Sequence, residues 1–184
     1  ILKAIEMSDS SIVSFKTIEK NNLIAVDFYS ESNKKIRTIM FQVFDLNKII
    51  ELYITNCSLT SFNNQMIRHF KYLKALNFED LTWIKFDLNY LNNMHEFYLL
   101  RILNNIYIGS TENLKLNQTN SRNLIFLSIT YNQINYLERE SFSMLTNLRN
   151  LLLSNNEISF LDDQTFENMI HLKNLDLSSN QIKE

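Results

Sequence analysis

Three histidines, one cysteine and an adjacent pair of aspartates are the side chains of this chain best suited to bind metal, attack a substrate or move protons. A metal centre or a catalytic triad needs such groups to converge, with a base in hydrogen-bond reach of a nucleophile. His69, His95 and His171 fall at different phases of the periodic pattern described below, so stacking of its units does not bring them together. Cys57 is the single cysteine, which excludes an internal disulfide and a cysteine-based zinc site. Asp162–Asp163 lies between periodic segments and reads as a solvated pair. Glycine occurs once, at Gly109, and proline never, so no glycine-rich loop can cradle a phosphate. The residues point away from an enzyme, and they imply no cofactor and no metal.

Composition narrows the alternatives. With 184 residues and 45% apolar side chains, the chain can bury a core, and its length suits one domain or one array. The formal charge is −2, from 18 basic and 20 acidic residues, so bulk attraction to nucleic acid or an anionic membrane is not expected. No apolar run reaches the roughly 20 residues needed to cross a bilayer. The chain opens at Ile1 without a signal peptide, which reads as a mature form or a fragment.

The pattern that must position any site is an internal repeat. Leu124, Leu127, Ile129, Asn132, Ile134 and Leu137 recur one period later as Leu148, Leu151, Leu153, Asn156, Ile158 and Leu161. The next period brings Leu172, Leu175, Leu177, Asn180 and Ile182, and Phe142 is matched by Phe166. Weaker copies lie upstream. Ile49, Leu52, Ile54, Cys57 and Leu59 form one, and Leu73, Leu76, Phe78, Leu81 and Trp83 the next. Met94, Phe97, Leu99 and Ile102 start a fifth unit, Leu23, Val26 and Phe28 an earlier one, and Leu2, Ile5 and Met7 the first. Unit starts near 2, 23, 49, 73, 94, 124, 148 and 172 give a single array of about eight units over 1–184, read as a fragment without its caps.

Each unit starts with a short strand whose side chains alternate between two faces. One unit cannot hide its apolar face. Stacked units can, and each buried Leu, Ile or Phe then contributes about 1.5–3 kcal/mol. Phe62, Phe86, Phe142, Phe166 and Trp83 fall on inward positions and are expected to be core. Asn132, Asn156 and Asn180 follow the strand where the chain turns inward, so their amides are expected to bond stranded backbone groups. Cys57 stands in the same position. A buried structural role is expected, the alternatives being a reactive thiol or an intermolecular disulfide.

The motif LxxLxLxxNxL, with its 24-residue spacing and mid-segment phenylalanine, resembles the typical, extracellular class of leucine-rich repeats. The resemblance implies an α/β solenoid: a curved horseshoe, with a parallel sheet on the concave face and irregular or short helical segments on the convex face. It also admits cysteine at the asparagine position. The irregular, proline-free first half followed by regular repeats is similar to insect leucine-rich-repeat immune proteins. That likeness implies a secreted, non-enzymatic recognition factor acting through protein partners in innate immunity. The cysteine-rich caps and coiled coil of such relatives are not found here.

The alternation also assigns the concave face. Counting the first apolar residue of a unit as position 1, positions 3, 5, 7 and 8 face outward. They collect Glu6, Asp9, Asp27, Tyr29, Glu51, Tyr53, Glu79, Asp80, Glu96, Tyr98 and Arg101, then Phe126, Tyr131, Asn150, Leu152, Asn155, Asn174 and Asp176. Eight acids stand against one base on this count. One reading is ordinary solvated strand residues. The other is an acidic, tyrosine-bearing groove for the basic surface of a protein partner.

Between residues 103 and 123 the spacing widens to 30, which reads as a loop inserted in the array or a degenerate repeat. Asn117 and Asn56 head glycosylation sequons, in keeping with an extracellular setting. The expected function is a secreted protein-binding module, the alternatives being an adhesion or signalling receptor ectodomain and an intracellular adaptor.

Overall fold

The computed structural model describes the backbone of residues 5–7, 11–20, 23–29, 35–36, 49–55, 58–59, 70–80, 82–83, 96–104 and 123–183, with side chains within 49–53, 70–80, 96–104 and 123–183. Its strands are β1 (Ile5–Met7), β2 (Ser11–Lys20), β3 (Leu23–Tyr29), β4 (Lys35–Ile36), β5 (Ile49–Thr55), β6 (Ser58–Leu59), β7 (Ala75–Glu79), β8 (Thr82–Trp83), β9 (Leu99–Leu103), β10 (Phe126–Thr130), β11 (Asn150–Leu152) and β12 (Asn174–Asp176). Among the described residues, nine form one sheet in the order β1-β2-β3-β5-β7-β9-β10-β11-β12, and β4-β6-β8 form a small second one. From β3 to β12 every pairing in the large sheet is parallel. This is the expected solenoid.

Alternation along each strand builds the core. Positions 1 (Ile49, Leu73, Phe97, Leu124, Leu148), 4 (Leu52, Leu76, Leu100, Leu127, Leu151) and 6 (Phe78, Ile102, Ile129, Leu153) are all at most 4% exposed. Neighbouring rungs cover one another's apolar rows, which is why the array is stabilised by summation. In the rung of β12, Leu175 and Ile182 are 42% and 41% exposed, because one side of that rung has no described neighbour. The described return segments, after β10 and β11, are successive tight turns. The N–H groups of Ser141, Leu145, Thr165 and Met169 bond the carbonyls of Glu138, Phe142, Asp162 and Phe166, each three residues back. Phe142 is fully buried there and stacks on Phe166, with ring centroids 6.1 Å apart.

Two features of the array differ from the sequence-based expectation. The unit placed at residue 2 is not a parallel rung. β1 pairs antiparallel with β2, and β2 with β3, so this end of the sheet is an antiparallel meander. The fifth rung starts at Phe97, not Met94, because Ala75, Leu76 and Phe78 pair with Leu99, Leu100 and Ile102. The physical reason is that Phe97–Leu103 is apolar at both parities, so two frames spell the same motif. The frame adopted buries Leu100 and leaves Glu96 and Arg101 in solvent. The wide interval before β10 is correspondingly shorter than expected, since it runs from Phe97 to Leu124 with Leu99 paired to Phe126. Cys57, Asn56, Asn117, His69, His95, Phe62, Phe86 and the segment 105–122 lie outside the described residues, as does the side chain of Trp83.

Position 8 carries a constraint of its own. Asp80, Asn104, Tyr131, Asn155 and Ser179 all have positive φ, between 51° and 56°. The chain leaves the strand there and turns towards the core, and a left-handed residue makes that corner. Asn and Asp tolerate this region, whereas a bulky side chain costs roughly 1–2 kcal/mol in it. Tyr131 is the costly case, and its side chain is 57% exposed, so little packing depends on it. Tyr131→Asn is expected to stabilise the fold by about 1 kcal/mol, read as a higher urea midpoint at constant slope.

Candidate functional site

Parallel pairing places equal positions of successive rungs side by side, so the concave face is a grid. Its central columns are Leu99, Arg101 and Leu103 on β9, Phe126, Ser128 and Thr130 on β10, and Asn150, Leu152 and Ser154 on and just after β11. Leu99, Leu103, Phe126 and Leu152 are half-buried, so they present apolar surface on a face otherwise lined by polar groups. The Arg101 guanidinium lies over the Phe126 ring, 5.1 Å from its centroid. An exposed contact of this kind contributes roughly 0.5–1 kcal/mol and holds the cation in place above the sheet.

Acidic and amide side chains flank this centre. On β5, the Tyr53 hydroxyl donates to the Glu51 carboxylate at 2.8 Å, which fixes both groups. Glu79 and Asp80 are exposed at the end of β7, and the Asn104 amide donates to Asp80 from the next rung. Asn77, between Tyr53 and Arg101 in register, is 7% exposed, and its amide nitrogen has no partner among the described residues. Beyond the centre, the Asn174 amide donates to Asn150 at 2.6 Å. Hydrogen bonds from the Ser178 hydroxyl and N–H, and from the Ser154 side chain, hold the Asp176 carboxyl below its ordinary range. The negative charge of that rung therefore persists into mild acid.

The concave residues read from sequence divide into four groups. Glu51, Tyr53, Glu79, Asp80, Arg101, Phe126, Tyr131, Asn150, Leu152, Asn155, Asn174 and Asp176 lie on the concave strands or at their left-handed ends. Asp27 and Tyr29 hold the corresponding register on β3, opposite Tyr53 and Thr55. Glu96 and Tyr98 do not belong to the face. In the corrected frame they precede the strand and occupy its leading edge, where Glu96 pairs with Lys74 at 3.0 Å. Glu6 lies in the antiparallel meander, and Asp9 is outside the described residues. With Glu96, Glu6 and Asp9 removed, the acids with described side chains are Glu51, Glu79, Asp80 and Asp176, Asp27 keeps its place in register on β3, and the base is still Arg101. The residues missed were Leu99, Leu103 and Asn104, hidden by the frame error, and Asn77, Ser128, Thr130 and Ser154, which stand at positions 5 and 7 of units read in the right frame. Counting one full period on from Leu73 lands on Phe97 and would have found the frame.

The asparagines after β10, β11 and β12 tie rungs together. Asn132 donates to the carbonyls of Ile102 (3.0 Å) and Thr130 (2.8 Å). Asn156 donates to Ile129 (2.7 Å) and Leu153 (3.0 Å) and accepts from the Ile134 N–H at 3.1 Å. Asn180 repeats this with Leu153, Leu177 and the Ile158 N–H. Among the described residues no cluster of three or more His, Cys, Asp or Glu could hold a metal ion, and no helix is long and apolar enough to cross a membrane.

Comparison with known proteins agrees with this geometry. Residues 146–184 match the leucine rich repeat family model. No curated protein matches the chain. Among solved structures, internalin C2 from Listeria monocytogenes is similar at 19% identity and a TM-score of 0.53, over 89% of this chain and 74% of that one. TLR13, in a complex with ssRNA13, is similar at 18% identity and a TM-score of 0.52, over 74% of this chain. The chain spans 26% of the length of TLR13. Residues 146–184 thus match the leucine rich repeat family model, and the sheet to which they belong has the leucine-rich-repeat solenoid fold.

Proposed function

We propose that the chain is a non-enzymatic recognition module that binds a protein through its concave face. The observation that carries this reading is the apolar strip of Leu99, Leu103, Phe126 and Leu152, with Arg101 held over Phe126 and acids on the flank at Glu51, Glu79 and Asp80. Aromatic residues and arginine are the types that dominate interface energetics, and charged flanks set selectivity and on-rate. The partner has a basic surface that meets the acids, and an apolar or carboxylate-bearing group that meets Phe126 and Arg101. The fold itself is a scaffold on which protein-binding faces are commonly built. An extracellular setting follows from the repeat subtype and its sequons, and a role in insect innate immunity from the style of the array. A glycosidase-sensitive mass shift at Asn117 in protein recovered from secreting cells supports the extracellular setting, and unglycosylated protein confined to cytosol removes it.

A photoreactive phenylalanine analogue at position 99 tests the binding face, with the same group at Ile170, which is 76% exposed on a return segment, as the control. A protein crosslinked from position 99 and not from position 170 is the expected result. Arg101→Glu and Phe126→Ala should then each weaken binding of that protein by about 30-fold, the scale of a 2 kcal/mol hot spot. Equal capture from both positions, or unchanged affinity in both variants, overturns the reading.

A further inference from the structure

We propose that the leading edge of β10–β12 holds a carboxylate-binding subsite, built by Arg149 and His171 and taking an acidic side chain of a protein partner. The strand-leading ends carry a repeated backbone device. The carbonyl of each position-2 residue accepts the N–H groups of positions 2 and 3 of the next rung: Lys74 from Tyr98 and Leu99, Tyr98 from Ile125 and Phe126, Ile125 from Arg149 and Asn150, Arg149 from Lys173 and Asn174, all within 2.9–3.2 Å. The side chains of this row are therefore held in fixed register along the edge of the sheet. At the rung of β7 the row carries a cation, Lys74, and the residue just before the next rung is Glu96. The two form an ion pair at 3.0 Å. The same two places in the rung of β11 are Arg149 and His171. Here the carboxylate is missing, and a pocket of about 230 Å³ opens between Asn123, Ile125, Asn147, Arg149 and His171.

The geometry that the chain itself fills with a carboxylate at Lys74 is thus repeated at Arg149 with a guanidinium and no acid. Arg149 and His171 are exposed, and Lys173 adds a second cation beside them in the same row. A guanidinium offers a planar, two-pronged donor set that matches a carboxylate. Positions 1 to 4 of the rungs of β10, β11 and β12 contain no acid that would repel it. Charge also distinguishes this edge from the concave face, so one partner can engage both, a basic surface on the face and an acidic side chain at the edge. The subsite deepens the protein-binding reading given above and rests on it.

Titration of isotope-labelled protein with acetylated, amidated hexaglutamate tests the subsite, with hexalysine and inorganic phosphate as parallel arms at fixed ionic strength. Hexaglutamate should shift the His171 imidazole and Arg149 Nε signals, and Arg149→Ala with Lys173→Ala should weaken its binding at least about tenfold. Arg101→Ala should leave those shifts unchanged. The proposal is overturned if hexalysine gives the same shifts, if phosphate binds and hexaglutamate does not, or if the double variant binds as the parent does. Loss of crosslinked partner with Arg101→Glu alone sinks the subsite and spares the concave face. Loss with the Arg149/Lys173 variant alone does the reverse.

Discussion

Asn156→Ala is expected to lower the unfolding free energy by about 3 kcal/mol, far more than removing a surface amide would. Asn156 is 6% exposed, and its amide joins three segments of backbone. It donates to Ile129 in the preceding rung and to Leu153 in its own, and it accepts the N–H of Ile134 across the turn. Alanine leaves two buried carbonyls each short of a donor and one buried N–H without an acceptor. Each such orphan costs about 1–3 kcal/mol, and partial relaxation keeps the sum below the simple total. Asn180 makes the same bonds in a half-buried setting, where water can replace it, so Asn180→Ala should cost about 1 kcal/mol. Urea unfolding ranks the two variants. Hydrogen exchange gives the local reading: the Ile134 amide should lose protection in Asn156→Ala and keep it in Asn180→Ala. Equal midpoints for both variants would show that the asparagines do not bind rungs together.

The same residues show why part of this molecule can be read from its sequence. From Leu124 onward, apolar residues, asparagine and phenylalanine recur at one spacing, and each has a single physical task. Leu127 and Leu151 fill the core, Asn132 and Asn156 join rungs, and Phe142 and Phe166 stack in the return segments. Nothing in that third competes with the pattern. Around Phe97 two frames compete, because Leu99, Leu100, Ile102 and Leu103 are interchangeable by type. Only spacing to the neighbouring rung decides between them, and a frame error of three residues moved Glu96 and Tyr98 onto the wrong surface. Near the N-terminus, alternation marks β1 and β2 as strands but does not encode strand direction, so an antiparallel meander looks like a weak repeat. The left-handed residue at position 8 left a faint signal, since Asp80, Asn104 and Asn155 suit that conformation while Tyr131 and Ser179 do not announce it. The Arg149–His171 pocket could not be seen at all before the rungs were in register, because it depends on which residues of separate rungs stand beside one another.

The frame at Phe97 is also where the second large effect is expected. Leu100→Ala should destabilise the protein by about 2–5 kcal/mol, and Leu99→Ala by about 1 kcal/mol or less. Leu100 is 0% exposed and sits between Leu76 on β7 and Leu127 on β10, so alanine leaves a cavity that the flanking rungs cannot fill without breaking their own ladders. Leu99 is half-buried on the concave face, beside Ala75 and Phe126, where solvent enters at once. The alternative frame, with Met94 as its first position, reverses the two residues: Leu99 becomes core and Leu100 faces outward. The pair of variants therefore measures register directly, through the order of their urea midpoints. Position 99 carries a second consequence. Since Leu99 contributes to the apolar strip beside Phe126, Leu99→Ala should weaken a concave-face partner while leaving the fold intact, whereas Leu100→Ala should lose binding only in proportion to the unfolded fraction. A Leu99→Ala variant less stable than Leu100→Ala would shift the fifth rung by three residues and take Arg101 out of the centre of the face.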